Sequence, residues 1–256
     1  MIEWKIIRFD VLESTNSKAL ELAQKGAQEG TVVLADSQTA GRGRFGRKWH
    51  SPRGEGLFFS AILYPPFTDK RLFTLPLVAG CAVAAALKSV AGLSPLLKWP
   101  NDVLIGEKKV SGILIETSQT GGRLAAVIGI GVNVSNTDFP EETSQTATSI
   151  QLECRREISS SAVLERCLQE ISDRYEHFVS GRSERIVREA RGISSLLGRQ
   201  VRISTSGGEF SGSAIDLDET GALIVRLCDG ALRTFTTGEV QLVREASDDH
   251  NSGLGR

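Results

Sequence analysis

The sequence predicts an α+β chain: a mixed, largely antiparallel sheet flanked by helices, followed by a small C-terminal β-barrel. Three observations carry this. Apolar runs of strand length, "TVVLA" (31–35), "LFFSAIL" (57–63) and "LAAVIGIGVNV" (124–134), are separated by glycine-marked turns. Two stretches have helical texture: "FTLPLVAGCAVAAALKSV" (73–90) is small and apolar almost all round, and 162–179 places Val163, Leu164, Cys167, Leu168, Ile171, Tyr175 and Phe178 at helical spacing. Beyond Ser195 the texture changes to short alternating strands broken by Gly-Gly, Asp-Glu-Thr-Gly and Asp-Gly turns.

In chain order, 2–9 reads as a strand, and "STNSKALELAQKG" as a cap followed by a short helix ending at Gly26. The runs at 31–35 and 57–63 then read as buried strands. The helix at 73–90 reads as a core helix. "LLKWP" follows, then the hairpin "DVLIGEKKVSGILIET" turned at Gly106, and a second turn at Gly121 and Gly122. The helix at 162–179 is expected to lie across one sheet face. These features divide the chain into a first domain over 1–194, a β domain over 195–245 and a polar, frayed tail over 246–256.

Composition narrows the function classes. The 256 residues carry 30 Lys plus Arg against 31 Asp plus Glu, so no overall basic excess exists to hold a polyphosphate. Cys81, Cys154, Cys167 and Cys228 lack CxxC spacing and read as reduced thiols. His50, His177 and His250 have no partners at metal spacing, which argues against zinc. "MIEWKIIRFD" lacks a signal pattern, and no apolar run is expected to reach the ~18 residues of a membrane span. The expectation is a cytoplasmic protein without membrane contact.

Against that neutral background, "AGRGRFGRKWHSPRGEG" (40–56) concentrates Arg42, Arg44, Arg47, Lys48 and Arg53 among glycines. Planar cations on a backbone whose N–H groups can approach closely suit an anionic ligand. A solvated charged turn is the plain alternative. In "GEKKVSG", Lys109 begins a strand with a buried far end and can reach inward as a point charge, whereas Lys108 reads as its solvated neighbour. Asn101 and Asp102 follow Pro100 at a rigid corner, and their oxygens are hard ligands suited to Mg²⁺ or, for Asp102, a base. A simple Asn-Asp turn is equally ordinary. Ser14, Thr15 and Asn16 stand where a helix N-cap is expected. Trp49 is a flat face or a core residue, and "GIGVN" lacks the GxGxxG pattern of a dinucleotide fold.

"QTAGRGRFGRKW", "KWPND" followed by "KKVSGILIE", "GIGVN" and the terminal barrel, in that order and spacing, resemble the biotin protein ligases over almost the full chain. The resemblance implies a class II aminoacyl-tRNA synthetase-like (biotin–lipoate ligase) fold with an SH3-like C-terminal barrel. It implies that biotin and ATP, with Mg²⁺, form biotinyl-5′-AMP, and that the biotinyl group passes to a lysine of a biotin carboxyl carrier protein or carboxylase carrier domain. It assigns biotin contacts to Ser14, Thr15, Asn16, Gln38, Gly41, Arg42, Arg44, Lys109, Gly112, Leu114, Gly129 and Gly131. It places ATP against Arg44, Arg47, Trp49, Asn101, Lys109 and Asn133, with Trp49 beside the adenine. Lys109, Arg44 and Asp102 are the candidate catalytic groups, and Asn101 with Asp102, by their oxygens, the candidate Mg²⁺ ligands.

Two departures matter. Phe45 stands where the family often has another basic residue. The chain starts directly on its first catalytic strand, so the helix-turn-helix of the family's repressor members, and DNA binding with it, is not expected. Members often pair through a sheet edge, which leaves a homodimer open. The competing readings are a lipoate or other acyl-acid ligase of the same superfamily, and a non-enzymatic nucleic-acid binder. Gln38 beside the Gly/Arg loop argues against the first, and low aromatic content against the second.

Overall fold

The computed structural model describes residues 2–243, so the tail expected at 246–256 lies outside the described residues. Seven strands form the main sheet in the order β1-β2-β3-β7-β6-β5-β4. β1 (Lys5–Leu12) and β2 (Thr31–Gln38) are parallel because α1 (Thr15–Gln24) crosses between them. Every other pairing is antiparallel: β3 (Gly56–Leu63), β4 (Pro95–Lys98), β5 (Asp102–Ile105), β6 (Lys108–Thr120) and β7 (Arg123–Asn133). The first strand begins three residues later than the sequence suggests. Ile2 and Trp4 are apolar because they pack on the core, with the Trp4 indole donating to Ser172 Oγ at 3.0 Å, and the ladder starts only at Lys5.

α2 (Leu75–Ala91) lies on the sheet over β4, β5 and β6, and Gly92 closes it in the left-handed conformation at φ 70°. It is apolar all round because α4 (Ser160–Val179) and α5 (Ser183–Gly192) cover its outer side. α4 therefore packs chiefly on α2 and meets the sheet mainly at β3, where the sequence suggested a helix lying directly on the sheet. The expectation about membrane spans is corrected as well. One helical stretch among the described residues, Lys70–Ala91, is long and apolar enough to cross a bilayer, with mean hydropathy 1.7, but it is mostly buried in this core. Two helices went unread. α3 (Ile150–Cys154) is a single turn, and α5 buries only Ile186, Val187 and Ala190 within a charged stretch.

The C-terminal strands β8 (Gln200–Thr205), β9 (Gly208–Leu217), β10 (Leu223–Leu227), β11 (Leu232–Phe235) and β12 (Glu239–Leu242) pair antiparallel in the order β11-β10-β9-β8-β12. β11 and β12 are outermost strands of this sheet, yet only residues 236–238 join them. Four virtual bonds span at most ~15 Å, whereas a flat five-strand sheet is ~19 Å across. The sheet must curl until its edges approach, which is the expected barrel-like form. It docks through Trp99 Nε1 donating to Gly221 O at 2.9 Å and Thr74 Oγ1 donating to Thr220 O at 2.9 Å.

Candidate active site

The site is built on the face of β6 and β7 that looks toward α1. Gly112 lies opposite Gly131, and Leu114 opposite Gly129, so two consecutive same-face rungs carry three glycines. With no side chains there, neighbours settle directly on the backbone. A Cβ on Gly129 would stand 2.0 Å from Asn16 Oδ1, and one on Gly131 2.4 Å from Trp49 Nε1. Asn16 covers one rung and Trp49 the next.

Polar groups gather at the Asn16 end. Ser14 caps α1, its side chain accepting from Ser17 N, so the residues behind it are held in place as the sequence suggested. Gln38, at the end of β2, accepts from Thr15 N at 2.8 Å and donates through Nε2 to Ser51 Oγ at 2.9 Å. Beneath them Ser60, fully buried on β3, stands 2.8 Å from Thr15 Oγ1 and 2.6 Å from Asn16 Oδ1.

Cations gather at the Trp49 end. Lys109 Nζ is 2.7 Å from Asp102 Oδ1 and lies 5.2 Å from the centre of the Trp49 ring, while Lys108 is exposed. The Lys109 backbone is fixed on its far side, donating to Thr146 O and accepting from Thr148 N. Arg44 donates to Asn101 Oδ1 at 2.9 Å, to Gly238 O at 3.3 Å and to Thr237 Oγ1 at 2.7 Å. Burial lowers its pKa, opposed by the Asp102 and Glu239 carboxylates, and a guanidinium so placed stays charged. Arg47 pairs with Glu239, and that hydrogen bond raises its pKa. The Gly/Arg loop is thus fastened to the C-terminal barrel, a contact its own sequence gives no hint of. Phe45, at the loop's tip, takes φ 57° and is exposed.

Thirteen of the predicted residues line one cavity of about 50 Å³: Ser14, Thr15, Asn16, Gln38, Arg42, Arg44, Trp49, Asn101, Lys109, Gly112, Leu114, Gly129 and Gly131. Gly41, Asp102 and Asn133 lie outside that lining, and Arg47 is exposed on the loop, where it pairs with Glu239. Gly41 is wedged where a Cβ would be 2.5 Å from Trp49 O. Asn133 is buried and donates to Thr148 O at 2.9 Å, tying down the segment beside Lys109 rather than facing the cavity. The Trp49 indole lies on the glycine rungs with no acceptor for its N–H among the described residues. A ligand of drug size needs several times the free volume, so the indole must leave the rungs for the slot to fill.

Asn101 and Asp102 do not make a metal seat as arranged. The Asn101 oxygen faces the Arg44 guanidinium and Asp102 Oδ1 faces the Lys109 ammonium, donors that repel a cation. No group of three or more His, Cys, Asp or Glu suited to a metal occurs among the described residues.

The comparisons with known proteins decide the family. Residues 8–133 match the Biotin/lipoate A/B protein ligase family, and 196–243 the Biotin protein ligase C terminal domain. The chain is 37% identical to the Bifunctional ligase/repressor BirA of Bacillus subtilis, over 90% of this chain and 72% of that one. It is 33% identical to the Biotin--[acetyl-CoA-carboxylase] ligase of Mycobacterium tuberculosis, over 90% of this chain and 86% of that one. The chain belongs to the biotin protein ligase family. The biotin protein ligase of Aquifex aeolicus in complex with biotin and ATP superposes with a TM-score of 0.82 at 33% identity, covering 94% of this chain and 99% of that one.

Within this biotin protein ligase fold, the sequence reading missed Glu116, Ser60, Ser51 and the barrel's Thr237 and Glu239. Glu116 was within reach. It continues the two-residue alternation of Gly112 and Leu114 along β6, and its carboxylate meets Asn16 Nδ2 and Arg42 Nη2, each at 2.8 Å. The others contact the site only through folding, and no local signal marks them.

Proposed function

We propose that this chain activates biotin with ATP to biotinyl-5′-AMP, releasing pyrophosphate, and transfers the biotinyl group to a lysine of a carboxylase carrier domain. The observation that carries the reading is the two-ended slot. Neutral donors and acceptors stand over one glycine rung and fixed cations over the next, about 7 Å further along the strand. Biotin is likewise two-ended, a neutral ureido ring joined by a chain to a carboxylate. An acid with a plain acyl chain, such as lipoate, has nothing to offer Gln38, Thr15 and Asn16, and their buried polar atoms select against it.

In the first step a biotin carboxylate oxygen attacks the α-phosphorus of ATP, the bond to the β-phosphate oxygen breaks, and pyrophosphate departs. Two anions must meet, and Arg44 and Lys109 offset their repulsion with charges set before the substrates arrive. Asp102 orients Lys109, while Asn101 and the barrel's Thr237 orient Arg44. In the second step the carrier lysine's neutral amine attacks the carbonyl of the mixed anhydride, AMP leaves, and an amide forms. A closed loop over 40–56 keeps water from the anhydride until then. In this reading the first domain supplies the chemistry, and the β domain, through Gly221, Thr237, Gly238 and Glu239, braces the loop and the Trp99 corner.

The test is incubation of the protein with biotin, ATP, Mg²⁺ and an apo carrier domain, followed by mass spectrometry. One biotinyl group on one lysine, dependent on ATP, is expected. A carrier left unmodified, or modified by lipoate instead, overturns the proposal.

A further inference from the structure

We propose that Glu116 is a positioning residue: its charge fixes the donor–acceptor polarity of the polar end of the slot, and so its fit to the ureido ring. This rests on the biotin reading above. The Glu116 carboxylate Oε2 accepts from Asn16 Nδ2 and from Arg42 Nη2, each at 2.8 Å. Asn16 is 3% exposed, so its amide orientation is not averaged by water.

An ionised carboxylate can only accept. Asn16 must therefore turn its NH₂ toward Glu116, where Nδ2 also reaches Leu114 O at 3.2 Å, and its oxygen toward Ser60. Ser60 Oγ has one proton and two neighbours, Asn16 Oδ1 at 2.6 Å and Thr15 Oγ1 at 2.8 Å. The amide oxygen can only accept, so the Ser60 proton goes there. The 2.8 Å contact between the two hydroxyls then takes the Thr15 proton in preference to Gln38 Oε1, which lies further away at 3.2 Å, so that Thr15 Oγ1 is left to accept. Gln38 Oε1 accepts from Thr15 N at 2.8 Å, and its other side faces Thr15 Oγ1 at 3.2 Å.

The far end of the row agrees with this direction. Gln38 Nε2 donates to Ser51 Oγ, and Ser51 Oγ donates to Trp49 O at 3.1 Å. The Asn16 and Gln38 amides are thereby each held in one orientation, and with Asn16 so turned the slot presents the Thr15 and Gln38 oxygens as acceptors. A ureido ring offers two N–H donors. Arg42 and Trp49 both belong to the Gly/Arg loop, so the row begins and ends on the segment that closes the site.

The Arg42–Glu116 pair alone would contribute little, because it is partly exposed, with 43% of the Arg42 side chain and 25% of the Glu116 side chain accessible. The consequence lies in the buried amide. Glutamine at 116 is isosteric but both donates and accepts, so Asn16 and the hydroxyls behind it are no longer confined to one arrangement.

The test uses Glu116→Gln and Glu116→Ala in biotin-dependent exchange of pyrophosphate into ATP, with circular dichroism to establish that both variants are folded. Glu116→Gln is expected to raise KM for biotin about tenfold while KM for ATP and kcat change by less than about threefold. Glu116→Ala is expected to raise KM for biotin further. An unchanged biotin KM in folded Glu116→Gln, or an equal rise in both KM values, overturns the assignment. A parent protein without biotin-dependent exchange overturns the functional reading instead, so the two failures are distinct.

Discussion

Gly129→Ala tests whether the glycine rungs exist to let side chains settle on the sheet. The added methyl would stand 2.0 Å from Asn16 Oδ1, 2.7 Å from Cγ and 2.9 Å from Nδ2, so the whole amide must move. That amide is held by Ser60, Leu114 O and Glu116, and displacing it breaks three hydrogen bonds at once. Overpacking a buried site costs typically 1–3 kcal/mol, and about 2 kcal/mol is expected here. For a chain of this size that lowers Tm by roughly 4–8 °C. The biotin-recognition row is displaced with Asn16, so KM for biotin should rise about tenfold or more with little change for ATP. Gly207→Ala is the control, since its nearest neighbour would be Thr205 Oγ1 at 3.6 Å. Thermal unfolding followed by circular dichroism, with pyrophosphate exchange on the same samples, reads both effects. A Gly129→Ala protein with parental Tm and parental biotin KM would refute the argument.

Lys109→Ala removes the charge placed between the two anions and should slow adenylate formation about a hundredfold, on the order of 3 kcal/mol, in single-turnover measurements. Burial raises the Cys81 thiol far above its ordinary value and the Cys167 thiol to about 12, so neither forms thiolate near pH 8. Thiol titration with a colorimetric disulfide at that pH should find the two less buried cysteines, Cys154 and Cys228, in the folded protein and all four after denaturation. The Trp49 indole, unpartnered on the rungs, should move when biotin and ATP bind, whereas the Trp4 and Trp99 indoles are hydrogen-bonded elsewhere. The emission change on binding should therefore vanish in Trp49→Phe.

Much of the architecture was legible because its signals are local. Gly106 and the Gly121–Gly122 pair mark turns, and the apolar runs at 31–35 and 57–63 fall inside β2 and β3. Where apolar residues serve a different neighbour, the pattern misleads. Ile2 and Trp4 pack on the core rather than extending β1, and α2 is apolar all round because α4 and α5 cover it. The site divides in the same way. Arg42, Arg44, Lys109 and the β6–β7 glycines stand out by composition. Glu116 and Ser60 act through Asn16, from 100 and 44 positions away, and Glu239 reaches Arg47 across 192. Only folding brings such pairs together. The expectation of a Mg²⁺ seat at Asn101 and Asp102 drew on oxygen chemistry alone. The structure sets Arg44 against the Asn101 oxygen and Lys109 against Asp102 Oδ1.

The central claim is that the slot joins a ureido-bearing acid to ATP, and isotope exchange between pyrophosphate and ATP measures that step without any carrier protein. Run with biotin, lipoate and octanoate in parallel, it should show exchange that saturates with biotin and remains at background with the two acyl acids. Exchange supported by lipoate or octanoate but not by biotin would contradict the account, because the polar row from Glu116 to Trp49 would then face a ligand with nothing to bind it.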